Sequence, residues 1–214
     1  MATAQARLTP TTDTTPAVVS IPTKEPSGAQ WVSRFPGSRG GNNCAVPFKD
    51  ALQSFVDALE DAGAKVRLSA TFRPVERAYM MHWAWMIWKG QADPQKIPAK
   101  GGVLIKWDHV GEDGAYSKEK SIAAATAMVN GFDIDDLRVA PALDSEHTKR
   151  LAVDMTISWT GDLTIKTADG KSTTIKSDPK SGMNKDLHEV GAGYGVIKYN
   201  RRGVDKPHWS STGK

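Results

Sequence analysis

The chain has 214 residues, 39% of them hydrophobic, which is enough to bury one sizeable core and too few for two full domains. Its single cysteine, Cys44, excludes an intramolecular disulfide framework and any cysteine-based zinc cluster, so a bound metal would need histidine and carboxylate ligands. The formal charge of +4 favours an anionic polymer as partner, but 28 basic residues are interspersed with 24 acidic ones, without a basic helix or an aromatic-basic RNA motif, which argues against nucleic acid.

Residues 1–30, rich in Thr, Pro, Ala and Ser, are predicted to form a flexible arm ahead of one domain over 31–214. No secretory signal is evident in them, and the sequence contains no apolar run long enough to span a membrane. After an irregular lead-in over 31–43, a helix is predicted from about Pro47 to Ala62, with Leu52, Phe55, Val56 and Leu59 at helical spacing and Gly63 as its stop. Residues 65–71, KVRLSAT, alternate like a strand. Pro74 opens a second helix that is apolar nearly all round, ends at Gly90 and should therefore be buried.

A third helix is predicted over about Ser117–Asn130, with Gly131 ending it. LAVDMTISW reads as a strand, with Leu151, Val153 and Met155 on one face and Ala152, Asp154 and Thr156 on the other. A hairpin turning near Asp169-Gly170 follows, then a short helix over Met183–Val190 broken by Gly191 and Gly193, and closing strands in GVIKY and KPHWS. Helices first and short antiparallel connections late indicate an α+β fold.

His147 and Asp154 are seven residues apart, roughly 23 Å if the chain were extended. To share one ion the chain must turn back between them, and Thr148 to Arg150 is the predicted turn. Alone, Asp154 is an ordinary solvent-facing carboxylate. Asp205-Lys206-Pro207-His208-Trp209 adds a second acid and imidazole on a late strand, and Pro207 forces Lys206 toward an extended conformation.

These residues resemble the family of zinc D-alanyl-D-alanine carboxypeptidases and L-alanyl-D-glutamate endopeptidases, which includes phage endolysins and vancomycin-resistance peptidases. The likeness covers roughly residues 47–211. The family's Ser-x-His, four residues, Ala-x-Asp motif is matched by Ser145, His147, Ala152 and Asp154, and its acid-x-x-His motif by Asp205 and His208. Thr71-Phe72-Arg73-Pro74 is similar to its strand-end aromatic-Arg pair, and HEVGAGYGV from His188 to its Gly-aromatic-Gly stretch. Arg150 departs from it, standing where many members carry Gly.

The resemblance implies a small antiparallel sheet flanked by helices, with Zn2+ held in a cleft on the sheet by His147, Asp154 and His208. Three ligands leave a fourth position open, as in catalytic sites. Asp205 would be the general base, and Arg73 would stabilise an oxyanion or hold a substrate carboxylate. Ser145, Trp209 and His188 are candidates to contact substrate. Endopeptidase members often carry Asp followed by Pro-His-aromatic in the last motif, whereas carboxypeptidases more often carry Glu. An L-alanyl-D-glutamate endopeptidase on peptidoglycan stem peptides is therefore expected, with a D,D-carboxypeptidase or a non-catalytic wall-binding module of a phage particle as alternatives. A monomer acting at the cell wall, made without a signal peptide and released or delivered by another system, completes the expectation. His82 and the Trp83, Trp85 and Trp88 cluster read as core, while His109 stays open as a cleft residue.

Overall fold

A computed structural model describes residues 23–199 and 205–214. In chain order its elements are β1 (Glu25–Pro26), α1 (Phe48–Asp61), β2 (Lys65–Ala70), α2 (Val75–Trp88), β3 (Ile105–Lys106), β4 (His109–Val110), β5 (Tyr116–Ser117), α3 (Lys118–Phe132), β6 (Ala152–Ser158), β7 (Leu163–Lys166), β8 (Ser172–Ile175), α4 (Lys185–Gly193), β9 (Ile197–Lys198) and β10 (His208–Ser210). The main sheet has the order β2-β6-β10-β9 and is antiparallel throughout. The α+β expectation holds.

Two apolar clusters organise the described residues. In the first, α1 buries Phe48, Leu52, Phe55 and Leu59 along one stripe, and β6 turns Val153, Met155 and Ile157 toward it by strand alternation. The β7–β8 hairpin adds Leu163, Ile165 and Ile175, and α4 adds Leu187 and Val190. Each such fully buried side chain contributes roughly 1.5–3 kcal/mol. In the second cluster α2 packs on α3, joining Met80, Met81, Trp85 and Ile87 to Met128, Val129 and Phe132, with Trp83 and Trp88 at its edge. The aromatic helix is core, as its composition predicts.

Three boundaries differ from expectation. Gly131 does not stop α3: the helix passes through it to Phe132 and ends at Asp133, which takes the left-handed conformation (φ 57°). A Cβ on Gly131 would stand 2.7 Å from a Val32 methyl, so this glycine admits a neighbour rather than breaking the helix. Gly191 and Gly193 likewise lie inside α4. A Cβ on Gly191 would come within 2.8 Å of the Trp209 ring and of the Val196 carbonyl oxygen, which explains a glycine at that packed position.

Of the arm predicted over 1–30, residues 1–22 lie outside the described ones, and residues 25–30 are instead built into the fold. Glu25 and Ser27 donate main-chain hydrogen bonds to Leu104 and Lys106, Ser27 is buried, and the Trp31 indole donates to the Pro26 carbonyl. Pairing of β1 with β3 thus ties residues 25–31 to the helical cluster.

Candidate metal centre

The centre of the sheet sets up the site. Antiparallel register places His208 of β10 directly opposite Asp154 of β6, and a bulge between Leu68 and Ala70 brings Ala70 of β2 opposite Asp154 on its other side. Ala70 is small, and Ser69 donates its hydroxyl to the Asp154 carbonyl (3.1 Å). His147 arrives from the turn before β6, where the N–H groups of Thr148 and Lys149 bond the Ser145 carbonyl and Leu151 bonds Glu146. The turn spans Glu146 to Arg150, wider than predicted, and closes with Arg150 at φ 66°. A left-handed residue is what a glycine would supply there. Arg150 occupies the position while its guanidinium lies 4.3 Å over the Phe72 ring.

Three donor atoms converge. His147 Nε2 lies 3.1 Å from Asp154 Oδ1 and 3.1 Å from His208 Nδ1, and His208 Nδ1 lies 3.2 Å from Asp154 Oδ1. Tetrahedral ligands on zinc bonds of about 2.0–2.2 Å stand about 3.3–3.6 Å apart, so only a few tenths of an ångström separate this triangle from a ligand set. The histidines are 4% and 6% exposed, so ligation requires little further desolvation.

The outer nitrogens sharpen the argument. His147 Nδ1 bonds the Thr71 carbonyl (3.0 Å) and His208 Nε2 the Lys214 main-chain oxygen (3.0 Å). A carbonyl only accepts, so both outer nitrogens carry protons, and each neutral ring presents its remaining lone pair to the triangle. Two lone pairs and a carboxylate oxygen at about 3 Å repel unless one positive charge lies among them. Burial would raise the Asp154 carboxyl, yet the hydrogen bonds and charge that His147 and His208 supply when an inner ring nitrogen is protonated hold it well below the usual carboxylate range. Burial would lower His208, but its bond to Asp154 and that residue's charge raise it instead. The raised His208 pKa favours a proton as that charge when no metal is bound, and a divalent cation fits the same place.

Asp205 Oδ2 stands 3.9 Å from His208 Nδ1, with its side chain 48% exposed at the rim. Burial of its inner edge and the Asp154 charge raise its carboxyl, against the opposing pull of His208, His147 and Lys198. Arg73 follows β2, and its N–H bonds the His147 carbonyl (3.2 Å). Its guanidinium is lowered by burial and pulled back up by Asp154 and Asp205, which places it in the field of both carboxylates. Among the described residues it makes no ion pair or side-chain hydrogen bond. The Ser145 hydroxyl is buried and likewise finds no partner there.

Two candidate substrate residues fall elsewhere. Trp209 is fully buried on the face of β10 opposite His208, packed on Phe55 and His188 (ring centroids 5.7 and 5.5 Å), so it anchors the ligand strand from the core instead of meeting substrate. His188 follows it: edge-on to Trp209 and bonded to the Gly182 carbonyl (3.0 Å), it stands on the core side of β10. Trp159, which follows β6, is also buried in the sheet cluster. His82, expected in the core, is half-buried and donates to the Pro141 carbonyl (2.8 Å), and His109 bonds Ser27 Oγ (2.9 Å) outside the triangle.

Sequence reasoning missed the Thr71 and Lys214 carbonyls, which are backbone atoms without a residue signature, and the buried Lys198. Among the described residues, His147, Asp154 and His208 are the one group placed to hold a metal ion. No helix among them is long and apolar enough to cross a membrane. Comparison with protein-family models, curated proteins and solved structures finds no match to this chain.

Proposed function

We propose that this chain is a zinc-dependent peptidase of bacterial cell-wall stem peptides, an L-alanyl-D-glutamate endopeptidase of the kind its motifs resemble. The observation that carries the reading is the triangle of two buried imidazole lone pairs and one carboxylate, each 3.1–3.2 Å from the others, with both outer ring nitrogens tied to carbonyls. His147, Asp154 and His208 would hold the ion, which when bound supplies a Lewis acid for the scissile carbonyl and a water acidified toward neutral pH.

The chain's own groups divide the remaining work. Asp205 accepts the proton of the attacking water at its carboxylate and returns it to the leaving amine, and its raised pKa suits a group that must do both. Arg73, whose guanidinium has no ion pair or side-chain hydrogen bond among the described residues, is available to a charge developing on the carbonyl oxygen or to the glutamate α-carboxylate. The Ser145 hydroxyl, buried and without a partner among the described residues, would reach a substrate amide or carboxylate only where binding uncovers it. The Asp-x-Pro-His-aromatic form of the last motif supports cleavage inside the stem. The protein would act at the wall as a monomer after release or delivery by another system.

The test is digestion of purified peptidoglycan followed by mass spectrometry. Fragments with a new D-glutamate N-terminus are expected. Free D-alanine from pentapeptide stems, with the L-Ala–D-Glu bond whole, would transfer the assignment to a D,D-carboxypeptidase. Asp205→Ala should retain bound zinc and lose about two to four orders of magnitude in turnover. Wild-type turnover in that variant would remove Asp205 from the chemistry.

A further inference from the structure

Lys198 is only 5% exposed, on a two-residue strand beside the site. Lysine is almost never so buried unless its charge is matched, and among the described residues no carboxylate forms an ion pair with it. Its ammonium instead donates to three main-chain carbonyls: Tyr199 at 3.0 Å, Asp205 at 3.3 Å and His208 at 2.9 Å. Three donors meet three acceptors, which is the full capacity of the group.

The three acceptors are not equally dependent on it. His208 is already fixed, because β10 pairs with both β6 and β9, Tyr199 also donates to the His208 carbonyl (3.1 Å), and Met155 donates to Pro207 (2.9 Å). Among the described residues the main chain of Asp205 has no such bracing. Among the described residues, the Lys198 ammonium is the one donor to it, and it links that residue to the end of β9.

We propose that Lys198 is a positioning residue, whose ammonium fixes the Asp205 main chain so that the carboxylate stands beside the metal ligands. The inference rests on the reading of Asp205 as the base. It assigns Lys198 no contact with substrate and no part in holding the ion. Removing it should therefore loosen Asp205 while leaving the ligand triangle intact.

The experiment uses the zinc-loaded full chain with Lys198→Met, which keeps the stem and removes the donors, and Lys198→Gln, which keeps some of them. Backbone 15N order parameters at Asp205 and Lys206 should fall from the rigid value of about 0.85 to below about 0.6 in Lys198→Met, with Trp209 and Ser210 unchanged and Lys198→Gln in between. Zinc affinity should stay within about threefold of wild type. On peptidoglycan, kcat should fall about tenfold to a hundredfold with KM preserved, the scale of a misplaced reacting group. Adding Lys198→Met to Asp205→Ala should cost nothing more, since both remove the same contribution. Unchanged order parameters at Asp205, or a zinc affinity reduced tenfold or more, would overturn the proposal, and so would an equal further loss in the Asp205→Ala background. Should Lys198→Met fail to fold, Lys198→Gln decides by the same measurements. A wild-type protein that leaves peptidoglycan intact would refute the functional reading alone, because the order parameters still decide the role of Lys198.

Discussion

All three ligand candidates stand on the sheet side of the molecule, whereas the tryptophan-rich helical side contributes Arg73 alone, just ahead of α2. The sheet brings residues 54 positions apart, Asp154 and His208, to 3.2 Å by register, and its core packing removes water from around them. The helical cluster acts at one remove. Trp85 Nε1 donates to the Leu137 carbonyl (3.3 Å) and His82 to the Pro141 carbonyl (2.8 Å), which holds the segment that delivers Ser145 and His147. The contrast shows that a region rich in aromatic residues can be scaffold, while the candidate ligand set needs only short strands with correct register.

The most damaging change to the sheet side should be Asp154→Ala, which leaves two lone pairs facing each other without a carboxylate. Zinc affinity should fall at least ~100-fold, beyond the 10–100-fold that losing a mere outer partner of a ligand costs. Competition titration against a chelator measures it, and an affinity within tenfold of wild type would dissolve the triangle as a metal site. The proton that stands in for the ion gives the same comparison a pH dependence. His208 has a raised folded pKa, so its contribution to stability is present below the unfolded imidazole pKa and is lost as pH rises through the folded one. Metal-free protein should therefore lose thermal stability as pH rises through and above neutrality. Zinc affinity should move the other way, falling about tenfold per unit as pH drops below the His208 pKa, because one proton is displaced. Melting curves with and without chelator across this range test both signs at once.

The helical side should fail differently. Trp85→Ala removes a side chain 3% exposed and should cost about 3–5 kcal/mol of stability. Zinc affinity of the protein that remains folded should change less than tenfold, because His147 is also held by its own turn and by Thr71. A hundredfold loss would show that the helical cluster sets the ligand geometry directly.

The difference between the two sides also explains what was legible in the sequence. The ligands were, because a histidine and a carboxylate seven residues apart, followed by an acid-x-x-His segment, form a pattern of side-chain types. Helix positions and the alternation of β6 follow from periodicity in the same way. Glycine roles were not, since Gly131 and Gly191 sit inside helices for the sake of Val32 and Trp209, neighbours distant in sequence. Trp209 was misplaced for a related reason: adjacency to a ligand in the chain means the opposite face of a strand. Lys198 was invisible because its partners are carbonyls.

The smallest effect concerns the turn between the first two ligands. Arg150 holds φ 66°, a conformation that costs a residue with a Cβ about 1–2 kcal/mol, and glycine would relieve that. Against the relief stand the guanidinium stack on Phe72, worth about 0.5–1 kcal/mol at an exposed site, and the greater freedom of an unfolded glycine, about 0.4–1 kcal/mol. These terms nearly cancel, so Arg150→Gly should lie within about 1 kcal/mol of wild type. Arg150→Ala separates them, because it loses the stack and keeps the strained φ, and it should be about 0.5–1 kcal/mol less stable than wild type. Denaturant melts of the three proteins provide the comparison. Arg150→Ala should be no more stable than Arg150→Gly; the reverse order would mean that the turn relaxes out of the left-handed conformation when the stack is lost. Zinc affinity should be the same in all three, since neither the Thr71 carbonyl nor the Ser145 turn bonds depend on the Arg150 side chain.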